Sequence, residues 1–177
     1  MSEAVKLSME ELFDKRASQQ MVAEANAFKT VPKGLYRLRA TKYEASKNDA
    51  GRVTIWFSVD ILDPEGKRLA KGSIKASPDE GRSAKGYLDT QSKIYGQLTK
   101  ALFTPEEQAD VNVPTLIQTF MTTPVDGFVA LSFKGPKDPM TGYPTWNDPQ
   151  SDAEEMEFRK RGYSPTNIIR SVQKIQG

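Results

Sequence analysis

Cysteine and histidine are both absent from the 177 residues. Without thiols the chain has no disulfide, no thiolate nucleophile and no zinc–thiolate site. Without imidazole it lacks the commonest general base and the commonest metal ligand. No apolar run approaches the roughly 20 residues that a membrane-spanning helix needs. The N-terminus also lacks the charged-then-apolar pattern of a secretory signal. A cytoplasmic protein with no membrane partner is therefore expected. Missing too are the phosphate-cradling P-loop, the dinucleotide-binding glycine fingerprint and the nucleophile elbow. The acidic pairs Asp79/Glu80, Glu106/Glu107 and Glu154/Glu155 are sequence neighbours. Neighbours point to different faces of a helix or strand, so these pairs make no two-carboxylate site. A magnesium site built from carboxylates alone is the one catalytic chemistry left open. The expectation is a non-catalytic protein with no cofactor and no resident metal.

What is present begins with charge. The net charge is only +2, but it is spread unevenly. Residues 29–102 hold 15 basic and 8 acidic side chains, whereas residues 103–158 hold 2 basic and 10 acidic. Residues 159–177 carry 5 basic side chains and no acidic one. Such segregation either makes a basic surface on a nearly neutral protein or cancels where the segments meet in space.

The clearest structural signal is Arg52 to Leu62. Val53, Ile55, Phe57, Val59 and Ile61 alternate with Thr54, Trp56, Ser58 and Asp60. Strand side chains alternate between faces, so this is a strand with one buried and one wetter face. Trp56 falls on the wetter face. It is either covered by a loop or helix, or it is an exposed stacking platform. Before it, Gly34 to Glu44 alternates Tyr36, Leu38 and Ala40 with Arg37, Arg39 and Thr41, and a polar tip at 47–51 predicts a hairpin. Asp63-Pro64-Glu65-Gly66 is a turn leading to a third strand, Arg68 to Ser77, which carries Lys71 and Lys75. Residues 77–86 have no apolar anchor, which predicts a mobile loop, either merely solvated or ordering on a ligand. Tyr87 to Leu102 has helical spacing. Short helices are expected from Thr104-Pro105 and from Thr115 to Met121. Phe128 to Lys134 and Tyr143 to Asn147 read as a hairpin, and Asp152 to Arg161 as a helical insertion. Residues 164–175 fit either a helix or a closing strand; a strand from about Asn167 is favoured, because the sheet otherwise lacks a last partner. Ser8 and Glu11 form a capping box, which predicts an N-terminal helix from Met9 to Ala25 with a thin apolar stripe.

Two units follow: a helical arm over 1–30, and a domain over 31–177 with an acidic insertion near 148–166. The order of a three-strand meander, a core helix and a hairpin suits a mainly β, five-stranded OB-like antiparallel barrel with a helix between strands 3 and 4. Such barrels bind single strands by a basic groove with aromatic stacking. The candidate nucleic-acid contacts are Arg37, Arg39, Lys42, Lys71, Lys75, Arg82 and Lys85 for phosphates, with Trp56 and Trp146 for stacking. Tyr36, on the apolar face of its strand, is expected to be core.

The entry Val31-Pro32-Lys33-Gly34-Leu35-Tyr36, the strand Thr54–Val59, the helix segment Ile94-Tyr95-Gly96-Gln97-Leu98 and the strand entry Gly127–Ser132 together resemble small phage-encoded single-stranded-DNA-binding proteins. The resemblance spans about Val31 to Phe133, with Asn167 to Val172 as a further strand. It implies an OB-type fold and a role in phage DNA replication or recombination in the host cytoplasm. It also implies a homo-oligomer and replication or recombination proteins as partners. Many such proteins end in an acidic tail, whereas this sequence ends with Arg170 and Lys174. That departure counts against recruitment of partners through the C-terminus. The competing class is a phage structural or assembly protein that self-associates through the N-terminal helix.

Overall fold

The computed structural model describes residues 5–19, 21 and 30–175. The strands are β1 (Gly34–Lys47), β2 (Val53–Leu62), β3 (Arg68–Ala76), β4 (Val125–Lys137), β5 (Pro144–Asn147) and β6 (Ser164–Gln173). The helices are α1 (Met9–Leu12), α2 (Thr90–Leu102), α3 (Pro105–Gln108), α4 (Val113–Thr122) and α5 (Asp152–Lys160). All six strands form one antiparallel sheet in the order β3-β2-β1-β4-β5, with β6 also on β4. The two ends of the path β3-β2-β1-β4-β6 come together. A Cβ built on Gly72 of β3 would lie 3.4 Å from the Ile169 side chain of β6. The sheet is thus a curled half-barrel, and among the described residues no strand ladder joins β3 to β6.

Helix α2 lies over that seam. The Gln97 side chain accepts the Val172 amide of β6 at 3.0 Å, and the Gln91 carbonyl accepts the Ser77 amide just past β3 at 3.1 Å. The core fills the inside of the curl. Ile55, Phe57, Val59 and Ile61 of β2 are fully buried with Leu38, Ile74 and Val129, as the period-2 pattern requires. Helix α4 plugs one end, where Phe120 meets Phe57 edge-on with ring centroids 4.9 Å apart. Tyr36 packs partly buried against this core. The buried Asn167 side chain binds both the amide and the carbonyl of Val31, at 2.8 and 2.9 Å. It holds the entry to β1 as a strand neighbour would.

The sheet has six strands rather than five. The β-branched Ile168, Ile169 and Val172 make β6 a long partner for β4 across Asp126 to Lys134, and it begins before Asn167. Strand β4 overruns the start of β1, and the overrun pairs with short β5. The acidic insertion is an ordered helix with Ser151 as its N-cap, pinned by the cluster Phe133, Phe158 and Tyr163. Helix α2 begins at Thr90, not Tyr87, because Asp89 caps it and Tyr87 is exposed.

The N-terminal expectation is corrected in part. The Ser8–Glu11 capping box forms, yet the helix stops at Leu12 instead of running to Ala25. Met9, Leu12 and Phe13 are exposed. A helix with no face to bury has only its propensity to hold it, which is marginal at such lengths. Residues 20 and 22–29 of the expected helix lie outside the described residues.

The loop over 77–86 is not anchorless; its anchor is polar. Arg52, at the start of β2, grips Asp89 with two parallel bonds of 2.7 and 2.9 Å. Its remaining donors reach the Ser77 and Ser92 hydroxyls. Asp89 also accepts the Ser92 amide at 2.9 Å, the Ser92 hydroxyl accepts the Gly81 amide at 2.9 Å, and the Asp79 carboxylate accepts the Val53 amide at 2.6 Å. The loop passes so close that a Cβ on Gly81 would sit 2.1 Å from the Asp89 carboxylate. These bonds hold the Asp89 carboxyl well below the usual carboxylate range, with the Arg52 guanidinium the main cause.

Two outcomes are expected. The folded state holds Asp89 ionised more tightly than the unfolded chain, whose aspartates titrate near pH 4. Its stabilisation is therefore complete above about pH 4 and is lost as pH falls below that. Denaturant titrations from pH 6 to pH 2 should show a shallower acid loss in Asp89→Asn than in the natural chain; equal slopes would remove Asp89 from the account. Gly96, mid-helix in α2, has open space where a Cβ would go. Gly96→Ala should raise stability by up to about 1 kcal/mol, measured the same way, and a loss would show that the position is packed.

Candidate functional site

The outer face of β1, β2 and β3 collects most of the residues singled out in the sequence. Strict alternation would put Lys42 on the face opposite Arg37 and Arg39. A bulge prevents this: Ala40 pairs with Val59, but Lys42 pairs with Ser58, so the register slips by one residue. Bulges re-aim side chains in this way. Three rows then cross the strands. They are Arg39–Asp60–Lys71, Lys42–Ser58–Ser73 and Glu44–Trp56–Lys75. Opposite residues on one face lie about 4.5–5.5 Å apart at Cβ, so each row is a set of touching side chains.

Electrostatics sort the cations. Arg39 is bonded to the largely buried Asp60 at 3.1 Å, and Arg37 faces Asp126 at 3.7 Å. Both guanidiniums are partly spent on holding the sheet. Lys42, Lys71 and Lys75 join no ion pair among the described residues. The Lys75 ammonium lies 3.9 Å from the centre of the Trp56 ring. Trp56 remains 42% exposed, so the covering group is one lysine rather than a loop or helix. Beside it, Lys42, Tyr43, Glu44, Ser46 and Ser58 complete a cavity of about 290 Å³. Chemically this is an aromatic surface flanked by mobile cations, with hydroxyls and one carboxylate at its edge. It offers stacking together with anion contacts.

The other predicted residues are placed differently. The loop with Arg82 and Lys85 leaves β3 just past Lys75, so it flanks the Trp56 end of the sheet. Arg82 is engaged within that loop, with Glu80 at 2.8 Å and the Gly86 carbonyl at 2.7 Å. Lys85 is exposed at the turn. Trp146 belongs elsewhere. It pairs with Lys134 on the overrun of β4, beyond the start of β1, whereas Trp56 pairs with Glu44 near the end of β1. At about 3.3 Å per residue, that register puts the two indoles at opposite ends of the sheet. Trp146 is 55% exposed beside Lys134 and near the exposed Tyr143, a second aromatic–basic patch.

The segregated charges cancel in part, since Asp126 meets Arg37 and Asp148 meets Arg170 across the segments. Among the described residues, no cluster of three or more acidic side chains could hold a metal, and no helix is long and apolar enough to cross a membrane. Tyr43 has the aromatic character sought for stacking; sequence reasoning missed Glu44, Ser46 and Ser58 in the cavity wall. The parity of Lys42 with Glu44 was visible, but the bulge that brings both onto the arginine face was not. No protein-family model matches the chain, and neither does any curated protein sequence.

The contact between Lys75 and Trp56 has a measurable signature. Exposed cation–π pairs contribute about 0.5–1 kcal/mol. A double-mutant cycle of Lys75→Ala and Trp56→Ala, read by denaturant unfolding, is expected to show a coupling of that size. Strictly additive effects would mean that ring and ammonium do not meet in solution.

Proposed function

We propose that the chain is a non-catalytic, sequence-tolerant single-stranded-DNA-binding protein of OB type, acting in phage DNA replication or recombination. The supporting observation is the set of three rows on the outer face of β1–β3, where Trp56 is flanked by Lys75 and Lys42, with Lys71 two rows further along the same face. An OB barrel has a meander, a helix and then two further strands; this chain has a meander, helices and three further strands, curled so that β3 and β6 come together, which supports an OB-type reading. In this reading Lys71 and Lys75 take phosphates, a base displaces the Lys75 ammonium to stack on Trp56, and Arg82 and Lys85 border the entry. Trp146 with Lys134 forms an outlying contact reached only by longer strands. The protein acts as a homo-oligomer alongside replication or recombination proteins.

A second reading has its own observation. Val5, Met9 and Phe13 are each at least 78% exposed, an apolar arm left open among the described residues. That favours a phage assembly protein that self-associates through the N-terminal segment.

One titration separates them. A labelled oligonucleotide of about ten nucleotides is titrated with the full chain at several salt concentrations. On the first reading, log K falls with log salt with a slope of roughly −2, for about three phosphates on a single strand. Trp56→Ala weakens binding by roughly 5-fold to 100-fold, as loss of one base stack does, while Trp146→Phe leaves this short oligomer's affinity unchanged. No binding at low salt, with concentration-dependent assembly by mass photometry, would overturn the first reading in favour of the second.

A further inference from the structure

Glu44 stands directly opposite Trp56 in the β1–β2 register and lines the same cavity of about 290 Å³. The other carboxylates on this face are engaged: Asp60 holds Arg39 at 3.1 Å and Asp126 faces Arg37 at 3.7 Å. Glu44 enters no such pair among the described residues and is exposed. The row therefore reads carboxylate, indole, ammonium. Within this row the two sides of the indole are unlike. The β3 side carries Lys75, with Lys71 further along, and draws phosphates; on the β1 side the carboxylate of Glu44 offsets the charge of neighbouring Lys42. A base stacked on Trp56, with its sugar and phosphate toward β3, turns its free edge toward β1.

That edge meets acceptors. An ionised carboxylate accepts hydrogen bonds and donates none, while the Ser46 and Ser58 hydroxyls adapt to either role. In a single strand the Watson–Crick edge is open to such contacts. Guanine presents two adjacent N–H donors there, at N1 and N2, which match the two oxygens of a carboxylate. Cytosine and adenine each present one amino group. Thymine and uracil present a single N–H between two carbonyl oxygens, whose lone pairs oppose the carboxylate. We propose that Glu44 makes the Trp56 pocket selective for amino-bearing bases, guanine first, and disfavours thymine and uracil. The inference rests on the DNA-binding reading and adds a base preference to it.

The test compares three labelled oligomers of equal length by fluorescence anisotropy with the full chain. One is all thymine, one has guanines at isolated positions, and one has cytosines at the same positions. The natural chain should bind the guanine oligomer roughly 5-fold to 10-fold more tightly than the thymine one, with cytosine between, as expected for a partly exposed bidentate contact. Glu44→Gln carries both a donor and an acceptor, and should bring all three within about twofold. Glu44→Asp keeps the charge but shortens the reach, and should lose the preference as well; circular dichroism checks the fold of both variants. Equal affinity of the natural chain for all three oligomers overturns the base preference but leaves the DNA-binding reading standing. A guanine preference that survives Glu44→Gln overturns the assignment to this residue. No binding of any oligomer overturns both.

Discussion

The fork between Arg52 and Asp89 is the constraint on which the Trp56 end of the sheet depends. Four groups from two separate segments accept five hydrogen bonds from one guanidinium: the Asp89 carboxylate, the Ser77 and Ser92 hydroxyls and the Asp79 carbonyl. A planar guanidinium suits this, since its donors leave in fixed directions and match a carboxylate two at a time. The same aspartate caps α2. One ion pair thus fixes the start of β2, the loop after β3 and the first turn of the core helix. Trp56 lies four residues along β2 from Arg52, and Lys75 two residues before Ser77, so both inherit their positions from this node.

The two faces of β2 divide the labour. Inward residues supply the core, and outward ones supply chemistry. The apolar face reads straight from the sequence because burial and period agree residue by residue. The outward face depends on its neighbours, and there the bulge in β1 matters most. By inserting one residue it carries Lys42 and Glu44 to the arginine side, placing a basic and an acidic group on the same edge of the Trp56 cavity.

Much of the architecture was legible. Alternation gave the meander, the capping pattern at Thr104-Pro105 marked α3, and the β-branched residues near 168–172 marked the closing strand. Signals that failed share one physical trait: each depended on contacts distant in sequence. The polar loop looked anchorless because its anchor, Arg52, sits some 25 residues upstream. The N-terminal segment had the right local code for a longer helix, but among the described residues Met9, Leu12 and Phe13 bury nothing. Trp56 and Trp146 looked equivalent because each is out of phase with its strand, yet only the register shows that they stand far apart. The lysine over Trp56 was readable in principle as a cross-strand neighbour, once the β2–β3 register was known.

At the seam between β3 and β6 the half-barrel comes together without strand pairing among the described residues. Its two facing edges meet where the Ile169 side chain lies close against the bare backbone of Gly72, and α2 bridges them. The backbone groups along those edges thus depend on a helix for their cover. Since α2 is itself capped by Asp89, cap and seam belong to one cooperative unit. In mechanical terms the helix is a bolt laid across the open side of the half-barrel, pinned to β6 through Gln97, to the end of β3 through Gln91 and at its own start by Asp89.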